Sequence, residues 1–174
     1  TVWILNHYAT SRHGRHYKLA YHLAKKGYRI TIFAASTVHN TGENRAAGKA
    51  AYIIEEHAGV PCVFIGARDY SGNNGDRIGN MIDYAWRVVY VSKKFGREKP
   101  DVVLASSVHP FTWLSGYIIA RRYSAKFIAE TRDLWPQTLI DMGRLRENSI
   151  VAKVLYWLER FIYTKADKLI FTMP

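Results

Sequence analysis

Apolar residues in this chain fall into short unbroken runs, separated by stretches in which they recur every three or four residues, the alternation that βα units produce. Residues 2–6 form the first run, end in polar residues and predict a strand. Residues 15–26 carry Leu19, Ala20, Leu23 and Ala24 at helical spacing, and Gly27 closes that helix. Residues 29–35, with Ile30, Ile32 and Phe33, predict a second strand. Strand, helix and strand in succession make a right-handed crossover with parallel strands.

The polar, glycine-containing stretch 36–49 has no periodic stripe and reads as a mobile surface loop. Residues 52–56 and 60–66 predict short strands about Gly59 and Pro61, and 68–76 is a second loop rich in Gly and Asn. Ile78, Met81, Ile82, Ala85, Val88 and Val89 mark the inner stripe of a long amphipathic helix ending near Phe95. Pro100 stops it, 102–105 is a fully apolar strand, and 111–123 is a largely buried helix. A strand at 126–131 follows, and Pro136 punctuates a short segment. Residues 150–165 predict a helix with Val151, Val154, Leu155, Leu158 and Ile162 inward, and a last strand begins at Leu169. Strands that are apolar without alternation are covered on both faces, so the predicted fold is α/β: a doubly wound, mainly parallel, Rossmann-like sheet with helices on both sides.

Composition narrows the setting. With 48% apolar residues over 174 positions, one domain has enough material for a core. The single cysteine, Cys62, excludes an internal disulfide framework and a multi-cysteine metal site, which points to a reducing compartment and a cytoplasmic location. No window reaches the roughly 18 apolar residues of a membrane span, and no leader pattern precedes the strand at residue 2, so a soluble or peripheral protein is expected. Twenty-five Lys and Arg against fourteen Asp and Glu give a formal charge of +11. That balance favours an anionic partner: nucleic acid, anionic lipid headgroups or a phosphorylated small molecule.

In doubly wound sheets ligands bind beyond the carboxyl ends of the strands. Three predicted strands deliver polar residues there: Asn6 and His7 from the first, Ser106, Ser107 and His109 from the run at 102, and Glu130, Arg132 and Asp133 from the run at 126. Ordinary turn chemistry and helix capping account for any one of these residues, and Arg132 paired with a neighbouring acid is the structural alternative. Gly14 opens a helix whose first residues include Arg15 and His16, an arrangement suited to a phosphate or carboxylate. That loop matches neither the dinucleotide fingerprint nor the P-loop, which disfavours a nicotinamide or ATP site. Lys153, Trp157 and Arg160 lie opposite the apolar stripe of the last helix, and Trp86, Arg87, Tyr90 and Lys94 turn away from that of the earlier one. Such faces suit either an anionic membrane surface or another domain.

The run Glu130-Thr131-Arg132-Asp133-Leu134-Trp135-Pro136 resembles the E-x-R-D-x-W-P motif of glycosyltransferase family 4 enzymes. Ser106 to Pro110, the start Asn6-His7-Tyr8, the turn Gly14 to Tyr17 and the exit Gly27-Tyr28 are similar too. The resemblance spans essentially the whole chain and is nearest to the subgroup that builds O-antigen and capsular polysaccharide. It implies one half of a GT-B architecture: residues 1–174 as the N-terminal, acceptor-side domain, with a C-terminal domain gripping the nucleotide sugar and absent from this stretch. It implies Asp133, His109 and Arg132 as catalytic residues, with Gly14, Arg15, His7, Glu130 and Ser107 binding substrate or phosphate. Relatives often carry more than one glycine in the first loop, whereas only Gly14 stands between Tyr8 and Tyr17 here. No cofactor and no metal are expected, the nucleotide sugar being a co-substrate. The implied acceptor is a saccharide, plausibly linked to a polyprenyl diphosphate at the inner face of the plasma membrane. The implied reaction is retaining, and residues 1–174 alone are expected to be inactive. The competing reading is a basic module that binds nucleic acid or another anion without catalysis. Lys and Arg spread over nearly every element argue against nucleic acid as a partner.

Overall fold

The computed structural model describes residues 1–9, 14–38, 43–46, 50–70 and 75–172. Seven strands form one sheet: β1 (Val2–Leu5), β2 (Ile30–Ala35), β3 (Tyr52–His57), β4 (Val60–Ile65), β5 (Val102–Ser107), β6 (Lys126–Thr131) and β7 (Lys168–Phe171). Their order is β3-β4-β2-β1-β5-β6-β7, and every neighbouring pair is parallel except the β3–β4 hairpin. The hairpin turns on Ala58 and Gly59, both at positive φ, the backbone that a tight two-residue turn demands. This is the doubly wound, mainly parallel α/β sheet that the apolar runs predict.

Alternation along the strands assigns the two faces. Trp3, Leu5, Phe33, Val63, Ile65, Val103 and Ala105 join one core, whereas Ile4, Ile32, Ala34, Cys62, Phe64 and Leu104 join the other. Helix α1 (Arg15–Lys25) covers the second face with Tyr17 and Ala20. Helices α2 (Gly75–Val91), α3 (Pro110–Tyr123) and α5 (Ile150–Lys165) lie side by side on the first, and a short α4 (Gln137–Asp141) follows the cis Trp135–Pro136 bond. Helix α3 sits tight on the sheet because residue 116 is glycine: a Cβ there would stand 2.5 Å from that of Ala105. No helix is long and apolar enough to cross a membrane among the described residues.

Three expectations need correction. The inner arc of α2 consists of Asn80, Met81, Tyr84, Val88 and Val91, so Ile78 and Ile82 are exposed, in one row with Trp86 and Tyr90. The helix is apolar on two sides, and the buried polar Asn80 decides which side turns inward. In α5 only Ala152, Leu158 and Ile162 are buried, while Val151 and Val154 face outward. That helix packs mainly on α3 and β6, which covers a narrower stripe than the apolar pattern offers. Finally, the described part of the 36–49 loop is packed: Ser36, Thr37 and Ala46 are buried, and Thr37 bridges Asn44. Residues 39–42 and 47–49 of that loop, and 71–74 of the next, lie outside the described residues.

Candidate functional site at the carboxyl edge of the sheet

The chain runs from β1 to β2 on one side and returns to β5 on the other, so the topological switch lies between β1 and β5. Ligands in such folds occupy the crevice beyond the carboxyl ends of those strands. His7 follows β1, and His109 follows β5 as the N-cap residue of α3. Ser106 and Ser107, expected just past the strand at 102–105, are instead its last residues, and Glu130 and Thr131 end β6.

Two histidine-centred relays organise this edge. In the first, Asn6 Oδ1 accepts the Tyr8 N–H, which fixes its amide and turns the NH2 to His16 Nδ1 at 2.7 Å. His16 therefore carries its proton on Nε2 and donates it to Glu130 Oε2, also at 2.7 Å. The second Glu130 oxygen meets the Arg15 guanidinium at 2.9 Å. Burial alone would raise the Glu130 pKa, but the His16 hydrogen bond and the Arg15 charge prevail, holding the carboxyl below its ordinary range. The carboxylate is thus engaged with protein cations and donors. It sits 6% exposed, in a position to hold Arg15 rather than to meet a phosphate.

The second relay is fully buried. Asn80 donates its NH2 to Thr37 Oγ1 and to the Arg68 carbonyl, so its Oδ1 faces His7 Nε2 at 2.7 Å. His7 is stacked between Tyr8 and Tyr84, and its Nδ1 lies 2.8 Å from His109 Nε2. The Nδ1 of His109 is buried with no hydrogen-bond partner among the described residues. Burial first, then the nearby His7 and Arg77, push the His109 pKa well below its ordinary value.

A groove of about 220 Å³ opens between the start of α1 and the end of β6, lined by Asn6, Tyr8, Gly14, Arg15, His16 and Arg132, with Ala9 and Tyr17. The first turn of α1 has no capping side chain and no acid of its own. Arg132 is exposed and makes no ion pair among the described residues; the bond at its backbone N–H goes to Ser107 Oγ at 3.2 Å. The structural alternative, Arg132 paired with a neighbouring acid, is not what Glu130 supplies: that carboxylate holds Arg15 and His16. A larger hollow of about 700 Å³, beside Tyr17, Tyr21, His22 and His57, lies against the other face of α1, away from these relays.

Residues 15–174 match the model of the glycosyl transferase 4-like domain. The chain belongs to that family. A comparison with curated proteins finds no match. Within this glycosyl transferase 4-like domain the predicted site residues separate into two tiers. Gly14, Arg15 and Arg132 line the groove, while His7, Ser107 and His109 are buried behind it. Asp133 is half-buried and does not line the groove, so His109, Arg132 and Asp133 do not share one opening. Lys153, Trp157 and Arg160 are exposed on α5, remote in sequence from either tier. Asn80 was not legible as a site residue from motif or strand end; its one signal is a polar side chain on the stripe between Ile78 and Met81. Among the described residues no group of three or more His, Cys, Asp and Glu could hold a metal ion.

Proposed function

We propose that residues 1–174 form the acceptor-side, Rossmann-like half of a retaining, metal-independent glycosyltransferase of GT-B type, acting on a lipid-carrier-linked saccharide in cell-surface polysaccharide synthesis. A second, C-terminal half supplies the nucleotide-sugar grip, and the present half alone turns over no donor. The observation that carries this reading is the cationic groove: Arg132 without an acidic partner among the described residues, beside Arg15 and the uncapped start of α1. In transfer the bond from the anomeric carbon to the diphosphate oxygen breaks, its electron pair leaving with the diphosphate. The acceptor oxygen then bonds that carbon on the same face and passes its proton to the departing diphosphate oxygen. Arg132 and Arg15 stabilise the leaving charge, worth about 10²-fold in rate for one preorganised donor. Asp133, half-buried next to Arg132 in the chain, orients the acceptor hydroxyl. In the two-domain enzyme, Arg132→Ala should lower kcat/KM about 100-fold while leaving the melting temperature within a degree or so, since the side chain is exposed. Wild-type kinetics for both Arg132→Ala and Arg15→Ala would end this reading.

A lipid-linked acceptor requires a membrane-facing surface, and one helical layer supports that. Trp157 is 64% exposed, stacked on Phe161 at 5.6 Å and flanked by Lys153 and Arg160. On α2, Trp86 is 76% exposed in line with Ile78, Ile82 and Tyr90, with Lys93 and Lys94 beyond them. Aromatic and aliphatic side chains with basic neighbours suit an anionic interface. The chain should sediment with phosphatidylglycerol vesicles at low salt and be released at high salt. Equal binding to neutral vesicles, or none to either, would remove the membrane from the proposal.

A further inference from the structure

Tautomer accounting along the buried relay assigns a role to a residue outside every motif. The Arg68 carbonyl can only accept, so the Asn80 atom bonded to it is the NH2, and the atom facing His7 is the carbonyl oxygen. An acceptor at 2.7 Å requires that His7 Nε2 carry a proton. In the neutral ring Nδ1 is then a lone pair, and the group 2.8 Å away, His109 Nε2, must donate into it. The remaining nitrogen, His109 Nδ1, is left as an acceptor without a partner among the described residues. An unmet buried acceptor costs about 1–3 kcal/mol.

We propose that Asn80 is a positioning residue: through His7 it holds the His109 proton on Nε2 and leaves Nδ1 as a buried acceptor at the β1–β5 switch. The depressed pKa of His109 agrees with a neutral ring.

The test is long-range nitrogen–proton NMR of the histidine-labelled chain at neutral pH. The wild type should show His7 and His109 each with a protonated, pyrrole-type Nε2 and a bare, pyridine-type Nδ1. Asn80→Leu removes the acceptor and should give averaged nitrogen signals at both rings. A merely structural asparagine would leave the ring nitrogens of His7 and His109 unchanged in the leucine variant. A wild-type His109 protonated on Nδ1, or leucine-variant nitrogen signals identical to those of the wild type, would overturn the assignment. If the leucine variant fails to fold, the wild-type spectrum still decides. Wild-type tautomers as stated, together with an inactive two-domain enzyme, would leave the relay standing and remove only the glycosyl-transfer reading.

Discussion

Replacing Glu130 separates its two jobs, accepting from a buried imidazole and pairing with a cation. Glu130→Ala leaves the His16 Nε2–H, itself buried, without its acceptor. A stranded buried donor costs about 1–3 kcal/mol, and truncating a buried side chain adds roughly 1 kcal/mol of lost packing. The Arg15 pair adds less than about 1 kcal/mol, because that guanidinium is half exposed and screened by water. Glu130→Ala should therefore lose about 3–4 kcal/mol. Glu130→Gln keeps an amide oxygen for His16 and loses chiefly the charge pair, about 1 kcal/mol. The gap between the variants, about 2–3 kcal/mol, combines the imidazole bond with the lost packing and corresponds to roughly 4–12 °C in melting temperature for a chain of this size.

Acid provides an internal control on the same residue. The native Glu130 carboxyl is held below its ordinary range, so the unfolded chain binds its proton more readily than the native chain. The stability it contributes is fully present above the unfolded value of about 4.3 and is lost as pH falls through the native value. Urea unfolding of wild type and Glu130→Gln should accordingly show the widest separation at neutral pH, narrowing once pH drops below about 4.3. Equal stability of the alanine and glutamine variants at pH 7, or a separation that stays constant into acid, would refute the reasoning.

The remaining predictions use the same logic elsewhere in the sheet. His109 is neutral in the native state with its pKa depressed, so its contribution is complete above about pH 6.5 and declines as pH falls below it. His109→Gln should flatten the stability profile between pH 6 and 5 by up to about 1.4 kcal/mol per pH unit; an unchanged slope in pH-dependent denaturation would contradict a neutral buried ring. Gly116→Val should destabilise by about 3 kcal/mol, because its first carbon already collides with Ala105 and approaches Phe127. Adding Ala105→Gly should recover part of that loss in thermal melts, and strictly additive effects would place the clash elsewhere.

Strand runs were readable because parallel strands buried on both faces have no polar alternation to confuse them. Topology followed from the βα rhythm. Helix orientation did not: in α2 the apolar residues lie on two opposed arcs, and periodicity measures that an apolar row exists without saying which one meets the sheet. The single discriminating letter was Asn80, whose amide is drawn inward by Thr37, the Arg68 carbonyl and His7. Strand ends suffered a related ambiguity. Ser106 and Ser107 look like loop chemistry because they are polar, yet each continues its ladder with a neighbouring strand. Partners were least legible of all. Glu130 could be paired with Arg132 by proximity in sequence, but its cation and donor arrive from α1, over a hundred residues away.

The two relays end in opposite polarity because their asparagines present opposite ends of the amide. Asn6 is pinned by a backbone N–H, so it offers NH2 to its imidazole, and the chain through His16 terminates in a donated proton on Glu130. Asn80 is pinned by a backbone carbonyl, so it offers oxygen, and the chain through His7 terminates in a lone pair on His109. The first therefore fixes a carboxylate that anchors Arg15 at the groove near Arg132, where negative charge is welcome. The second leaves a neutral, buried acceptor at the β1–β5 switch. The difference lies in the orientation of two amides, each set by a main-chain contact that side-chain motifs do not encode.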